Sequence, residues 1–221
     1  MTNEEYFKEL DLKIEALKEL RSKGIQLAQG IIGENLTKED LFFCASLDRC
    51  LHLMDGFVVM LRERNLTCAG ALLRLQMDNC MRTYAAFIAK DRNAVADCLI
   101  DGTPIKHLED ENGKKMVDWY LKEELTKIEP SFSRVYEQAS GYIHLSSKAF
   151  YQTVKDIDDK GFTVQVGHQL PEKRNEPLLE GASAFAYYVV LHYKMLNEVC
   201  ESKARFDAKQ QSEEAVVIPG M

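Results

Sequence analysis

One stretch of this chain gathers most of the side chains that could do chemistry. Residues 133–147 read SRVYEQASGYIHLSS, and they place His144 beside Tyr142 and close to three serines. Imidazole donates and accepts protons near neutral pH, and hydroxyl groups can hydrogen-bond a reacting group. We therefore take His144 and Tyr142 as candidate catalytic residues. Arg134, which precedes them on the same predicted helix, is a third candidate.

Helix geometry separates Arg134 from His144. Ten positions along an α-helix rotate a side chain by about 1000°, which leaves the two residues about 80° apart in direction and about 15 Å apart along the axis. The pair alone cannot act on one small group. An arginine that works with His144 must therefore come from another helix or from a second protomer.

A second group of charges lies on the predicted helix 69–90. Arg74, Asp78 and Arg82 follow one another at i, i+4 and i+8, so that an acid stands between two bases. In solvent each pair would contribute only a few tenths of a kcal/mol, whereas loss of one partner from a buried group would cost several kcal/mol. We expect the helix end that carries His144 to pack against the helix of Arg74 and Asp78. Alternatively, His144 is structural and hydrogen-bonds Asp78 or a carbonyl.

Helix two carries a polar stripe inside an apolar pattern. Asp48, His52 and Asp55 occupy positions i, i+4 and i+7, so they share one face. Such a stripe is typical of a face exposed to solvent. A metal site is the alternative, but no second histidine at helical spacing and no Glu-x-x-His motif accompanies the stripe. We expect no metal and no cofactor.

Charge and motif content exclude several classes of function. The net charge of −7 disfavours sequence-independent binding to nucleic acid, which needs clustered Lys and Arg. The chain has no P-loop, no dinucleotide-binding glycine motif, no nucleophile elbow and no zincin motif. Six cysteines without a C-x-x-C pair predict reduced thiols that mostly fill the core. No membrane span or signal peptide is indicated, so we expect a cytoplasmic protein.

The apolar periodicity predicts an all-α bundle of five to seven helices. Helices are expected over residues 3–29, 37–64, 69–90, 91–100 and 114–128, and from Ser131 or Ser133 to near Ser146 or Phe150. Thr37 and Asp40 resemble a capping arrangement at the start of the second helix. The short turn at 65–67 makes helices two and three antiparallel neighbours. Residues 101–113 are expected to form a loop with His107 exposed.

A small β-hairpin is expected before the last helix. Residues 162–167 alternate in polarity like a strand, and Tyr151–Val154 is the predicted partner, with Asp156–Lys160 as the connecting loop. The final helix is predicted from Leu178 to about Asp207. It is rich in Ala182, Phe185, Val189, His192, Leu196 and Val199. We predict one domain over residues 1–209 and a disordered tail over 210–221.

Two segments together resemble a known superfamily. LLRLQMDNCMRTYAAF (72–87) and SGYIHLSS (140–147), followed by a VQVG strand and a long last helix, resemble bacterial helical families affiliated with the HEPN superfamily. The resemblance covers about residues 42–200. It implies a helical fold and, in the ribonuclease members, a His that moves protons and an Arg that stabilises the phosphorane charge while the 2′-OH of RNA attacks. Many such proteins are toxins or abortive-infection effectors.

Two functions follow from this resemblance. HEPN ribonucleases pair an Arg with a His four to six residues later, and no Arg in this chain has a His at that spacing. The first hypothesis is therefore a binding module without catalysis, which acts through a protein partner or as a homo-oligomer in bacterial stress or phage defence. The alternative is a metal-independent endoribonuclease that uses His144 with an Arg from another helix or protomer. RNA is a partner only under the alternative.

Overall fold

The first and last helices are the longest elements of the chain, and the shorter helices lie between them in sequence. The computed structural model describes residues 3–144, 146–147, 154–158, 161–164, 166–167 and 175–216. Within these ranges the chain forms seven α-helices: α1 Asn3–Ile32, α2 Lys38–Arg62, α3 Leu66–Ile88, α4 Arg92–Asp101, α5 Asp118–Ile128, α6 Phe132–Ile143 and α7 Asn175–Val216. Two antiparallel strands, β1 Val154–Asp158 and β2 Gly161–Val164, precede α7. The predicted all-α bundle with a small hairpin before its last helix is confirmed.

Two helix boundaries in the first half differ from the prediction. Helix α1 passes through Gly30 and ends two residues later, and Gly33 leaves it with a φ of +56°. Helix α5 begins at Asp118 rather than at Lys114. The preceding backbone is held in a loop instead, since the amide of Asp110 donates to the carbonyl of Lys114 at 2.9 Å. His107 is exposed as predicted, in a short 3-10 turn.

The strands of the hairpin have other bounds than the sequence suggested, since β1 continues to Asp158 and β2 begins at Gly161. Residues 156–158 belong to β1 instead of a loop, and Asp158 pairs with Gly161. Gly161 has a φ of +136°, a backbone conformation open to glycine, so the chain can reverse next to it. The predicted loop at Asp156–Lys160 is therefore wrong for residues 156–158, Val154 lies in a strand as predicted, and residues 151–153 lie outside the described ranges.

The last two helices also differ in length from their predicted bounds. Helix α6 ends at Ile143, before the predicted end near Ser146 or Phe150. Helix α7 begins at Asn175 and continues to Val216, beyond the predicted end near Asp207. Residues 217–221 of the predicted tail lie outside the described ranges.

Helix α2 begins with the predicted cap and runs back along α3. The Thr37 hydroxyl accepts the amide of Asp40 at 3.2 Å, and the Asp40 carboxylate accepts the amide of Thr37 at 2.7 Å, which forms a complete capping box. Ser46 lies beside Thr83, and Arg49 lies beside Asp78. These contacts run in opposite directions along the two helices, so the predicted antiparallel arrangement of α2 and α3 is confirmed.

Helices α1 and α7 run parallel with a constant offset. The Tyr193 hydroxyl donates to the carbonyl of Leu20 at 3.0 Å, and the Cys200 thiol donates to the carbonyl of Leu27 at 3.7 Å. One step further, the amide of Glu34 donates to a carboxylate oxygen of Asp207 at 3.1 Å. Both partners advance by seven residues at each step, which is the spacing of a coiled-coil seam.

One buried cluster joins the helices. Its largest fully buried side chains are Tyr6, Phe43, Phe57, Phe132, Phe185 and Tyr188. The six cysteines are free thiols, and only Cys68 is fully exposed, so the prediction of mostly core-filling thiols holds. No helix in the described ranges carries an apolar stretch of sufficient length to cross a bilayer.

A buried ion pair attaches α7 to the connection between α1 and α2. The Lys203 ammonium donates to Asp40 at 2.5 Å and also to the carbonyl of Asn35, and the side chains of the ion pair are only 6% and 7% exposed. The same carboxylate completes the cap of α2. Removal of the lysine would leave a buried carboxylate without its cation, which is far more costly than loss of a surface pair.

Substitution of Lys203 tests this attachment. We expect Lys203→Met to lower the free energy of unfolding by about 3–5 kcal/mol, because Asp40 stays buried and charged. The matched control is Lys38→Met, which removes the exposed pair with Asp97 and should cost less than about 1 kcal/mol. Urea unfolding followed by circular dichroism measures both. Equal losses in the two variants would contradict the assignment.

Candidate functional site

Helix α6, which contains most of residues 133–147, packs closely against α3. Tyr142 lies directly on Gly70, and a Cβ at that position would collide with the tyrosine ring. A glycine at this point of α3 therefore lets the two helices approach each other. The predicted contact between the helix of His144 and the helix of Arg74 is confirmed.

Arg74 makes the central polar contact of this junction. Its guanidinium donates to the Tyr136 hydroxyl and, at 3.2 Å, to the Ser140 hydroxyl, and its Cζ lies 3.6 Å from the centroid of the Tyr136 ring. Burial raises the pKa of the Tyr136 hydroxyl, and the positive charge of Arg74 acts against this rise. Stacking and hydrogen bonding together need a planar guanidinium, which a lysine lacks. Arg74 is thereby bound to α6 within its own chain.

Asp78 and Arg82 continue the row of charges toward α2 and α5. The Asp78 carboxylate accepts from Arg82 at 3.4 Å and from Arg49 at 3.5 Å. Arg82 also donates to Asp118, the first residue of α5, at 2.5 Å. The Asp78 side chain is 19% exposed, so these pairs lie partly buried between three helices. The acid between two bases is thus one part of an interhelical network.

His144 and Arg134 lie at opposite ends of α6, as the helix geometry predicts. The backbone of His144 is extended (φ −102°, ψ 150°), and its amide reaches the carbonyl of Ser140 at 3.4 Å, so His144 ends the helix. Both side chains are exposed. Asp78 bonds to arginines, and within the described ranges no hydrogen bond joins it to His144. One turn before His144, Ser140 of α6 accepts the hydrogen bond from Arg74 of α3.

A groove of about 600 Å³ lies beside the junction, between α3, α6 and α7. Its apolar lining comes from Leu66, Ala69, Leu73, Val135, Ala139, Leu178 and Ala184. Arg134 lies on the α6 rim, and Glu180 lies on the α7 rim, both exposed. Tyr142 closes part of the floor. Of the predicted site residues, Arg134 and Tyr142 therefore share this groove, whereas Arg74 and Asp78 belong to the charged row.

The polar stripe on α2 divides into two surface pairs. His52 and Asp48 are 3.6 Å apart, with side chains 77% and 71% exposed, and Asp55 binds Arg21 of α1 at 2.7 Å. The interpretation as a solvent-exposed face agrees with these exposures. Among the residues that the structure describes, no three His, Cys, Asp or Glu side chains are placed to hold one metal ion.

A buried polar cluster between α2, α3 and α7 was not singled out by the sequence. The Ser46 hydroxyl lies 2.8 Å from Nε2 of His192 and 2.6 Å from the Thr83 hydroxyl, which is itself 3.1 Å from the same nitrogen. Asn79 donates to the carbonyl of Ser46 at 2.9 Å. His192 is fully buried, and burial lowers its pKa to about 3. The sequence pattern places His192 on an apolar helix face, and a histidine there is the signal that could have revealed the cluster.

The Ser46 and His192 pair has the distance of a nucleophile and its base, but it is sealed inside the bundle. Ser46 is 7% exposed and His192 is 0% exposed. A catalytic pair must reach its substrate, and both side chains of this pair are buried. The cluster is therefore a packing feature of the core.

Comparisons with known proteins add no family to these observations. No protein-family model, no curated protein and no solved structure matches the chain. The resemblance to HEPN families stays a prediction from residues 72–87 and 140–147.

The buried histidine gives stability a pH dependence. His192 has a pKa near 3 when folded and an ordinary value of 6.5 when exposed, so the unfolded chain binds more protons between these values and stability falls as pH decreases below 6.5. From pH 7 to pH 5 this contributes a loss of about 2 kcal/mol, given about 1.4 kcal/mol per pH unit.

A variant without the imidazole isolates this contribution. We expect the free energy of unfolding of His192→Gln to change less between pH 7 and pH 5 than that of the parent chain, by about 2 kcal/mol. Urea unfolding at both pH values measures the difference, and the carboxylates contribute alike to both proteins. Identical pH slopes would refute the role of His192.

Proposed function

We propose that this chain is a HEPN-like helical module that binds a partner protein, without catalysis of its own, in bacterial stress or phage defence. The hydrogen bonds that occupy Arg74 and Arg82 of α3 carry this proposal. Arg74 donates to Tyr136 and Ser140, and Arg82 donates to two aspartates. An arginine that stabilises a developing phosphorane charge has to face the substrate. Here the guanidinium groups face side chains of their own protein.

The groove between α3, α6 and α7 is the surface that we assign to the partner. Its floor is apolar, and its two rims carry Arg134 and Glu180, which have opposite charges. An amphipathic helix that has a base and an acid on either side of its apolar face would complement both rims. The proposal therefore places a helical segment of another protein in this groove.

Gly181 offers a way to fill the groove without disturbing the bundle. It lines the groove, and a Cβ built on it has no atom within 4 Å. We expect Gly181→Trp to fold normally and to lose the partner, whereas Gly181→Ala, which leaves the groove open, should retain it. Affinity purification of the tagged chain from its native host, after crosslinking, measures the bound partner. Equal recovery with both variants, or no partner with the parent chain, would contradict the proposal.

A metal-independent endoribonuclease is the second candidate, and one contact favours it. Arg74 reaches Ser140, one turn before His144, and the His144 side chain is exposed. An arginine and a histidine from two helices thus lie at the same end of one junction. In that case His144 would transfer protons, and Arg74 would have to exchange Tyr136 for a phosphate.

RNA cleavage separates the two candidates. We expect concentrated, metal-free protein to leave single-stranded RNA intact, because the guanidinium of Arg74 is already hydrogen-bonded to side chains of α6. His144→Ala should then behave like the parent chain. Cleavage by the parent chain that disappears in His144→Ala, with an unchanged melting temperature, would establish the ribonuclease instead. Gel analysis of a labelled RNA with both proteins gives the answer, and growth on overexpression gives a second readout.

A further inference from the structure

A second groove, of about 520 Å³, follows the outer side of the seam between α1 and α7. Its volume lies within the range of about 300–1,000 Å³ that is usual for small-molecule sites in proteins. The apolar part of its lining comes from both helices: Leu20, Leu27, Val190, Tyr193 and Cys200. Four exposed polar side chains lie on its rims: Lys23 and Gln26 on α1, and Lys194 and Asn197 on α7. None of its residues lines the groove assigned above to a partner protein.

The polar side chains of the two rims form matched pairs. The hydrogen bonds along the seam join residues of α1 to residues of α7 that lie 173 positions later. Lys23 is therefore level with residue 196, and Lys194 lies two positions earlier, which is about 3 Å along the helix axis. Gln26 and Asn197 have the same relation one turn further on. A pair of lysines and then a pair of amides thus lie on opposite rims of the groove.

The two lysine charges are left unpaired by the part of the chain that the structure describes. No salt bridge there includes Lys23 or Lys194, although Glu19 and Glu198 lie one helical turn from them. The charge of Lys194 acts on Glu129, but both oxygens of that carboxylate already accept hydrogen bonds from hydroxyl groups. Two ammonium groups on opposite rims repel each other, so an anionic group between them is attracted by both.

The apolar part of the groove continues beyond the two pairs, to Gly30 and Cys200. The two helices are close together at this end, since a Cβ built on Gly30 would lie 2.8 Å from Sγ of Cys200. Burial raises the pKa of the Cys200 thiol, so the thiol stays uncharged near neutral pH and does not repel an anion. From the level of the lysines to Gly30 the groove is about 12 Å long. An extended saturated chain advances about 1.2 Å per bond, as the peptide backbone does, so about ten carbons span this length.

We propose that the groove between α1 and α7 binds a small amphiphile, namely a saturated carboxylate of about ten carbons. Its carboxylate lies between Lys23 and Lys194, because two cations at one level complement a single anionic group. Gln26 and Asn197, one turn further on, offer amide donors at the edge of the head group. The aliphatic chain lies on the apolar part of the groove. This ligand site goes beyond the proposed function, since it is separate from the groove assigned to the partner protein.

Titration calorimetry of the full chain with sodium decanoate tests the site. Decanoate should bind saturably with one molecule per chain, and decanol, which has the same chain length without the charge, should bind more weakly. Lys23→Met with Lys194→Met should weaken decanoate binding about tenfold, because two partly exposed ion pairs are lost, and should leave decanol binding unchanged. The matched control, Lys8→Met with Lys115→Met, removes two exposed lysines outside the groove and should bind decanoate like the parent chain.

A series of chain lengths distinguishes a groove of fixed length from adsorption to the protein surface. Affinity should rise by up to about fourfold for each added CH₂ from hexanoate to decanoate, and it should not rise further to tetradecanoate, whose chain extends beyond the groove. Gly181→Trp, which fills the other groove, should bind decanoate like the parent chain, so that failure of the proposed partner site is distinguishable. Circular dichroism checks that every variant is folded. No binding of decanoate, equal binding of decanol, equal losses in the two lysine variants, or a continued rise to tetradecanoate would overturn the proposal.

Discussion

The arrangement of the bundle depends on one fully buried imidazole. His192 of α7 meets Ser46 of α2 and Thr83 of α3, so hydroxyls from two helices converge on a single nitrogen of the third. Apolar packing alone tolerates sliding of helices, whereas a buried hydroxyl without a partner costs about 1–3 kcal/mol. A shift of any one helix would break at least one of these bonds. The cluster therefore specifies how the three helices align, beyond what the apolar core requires.

The alignment of these helices determines which side chains lie beside the charged residues of α3. With α2 held in place by Ser46, Arg49 comes beside Asp78, and α5 places Asp118 beside Arg82. Arg74, further along the same helix, is left to bind α6. The charged row is thus a consequence of helix alignment: Arg82 is paired with two aspartates, and Arg74 is hydrogen-bonded to hydroxyls of α6.

Helix periodicity alone was sufficient for most of the fold, because amphipathic patterns and caps are local. The cap of α2 at Thr37 and the contact of α6 with α3 were predicted correctly. The partners of the charged residues could not be predicted in this way. Arg74 and Ser140 are 66 positions apart, and the sequence around one contains no signal for the other. The start of α5 differs for a local reason: Asp110 accepts three nearby backbone amides in its loop, and that alternative competes with a helix.

The seven-residue seam between α1 and α7 has a consequence for how the protein is made. A ribosome adds about 5–20 residues each second, and domains usually begin to fold as they emerge. Of the seven described helices α1 is made before the others, yet the face of α1 that packs on α7 has to wait for the last of the seven, with contacts separated by 173 positions at Leu20, Leu27 and Glu34. Until α7 has been made, the side of α1 that faces it lacks its native neighbour and is exposed to chaperones and to aggregation.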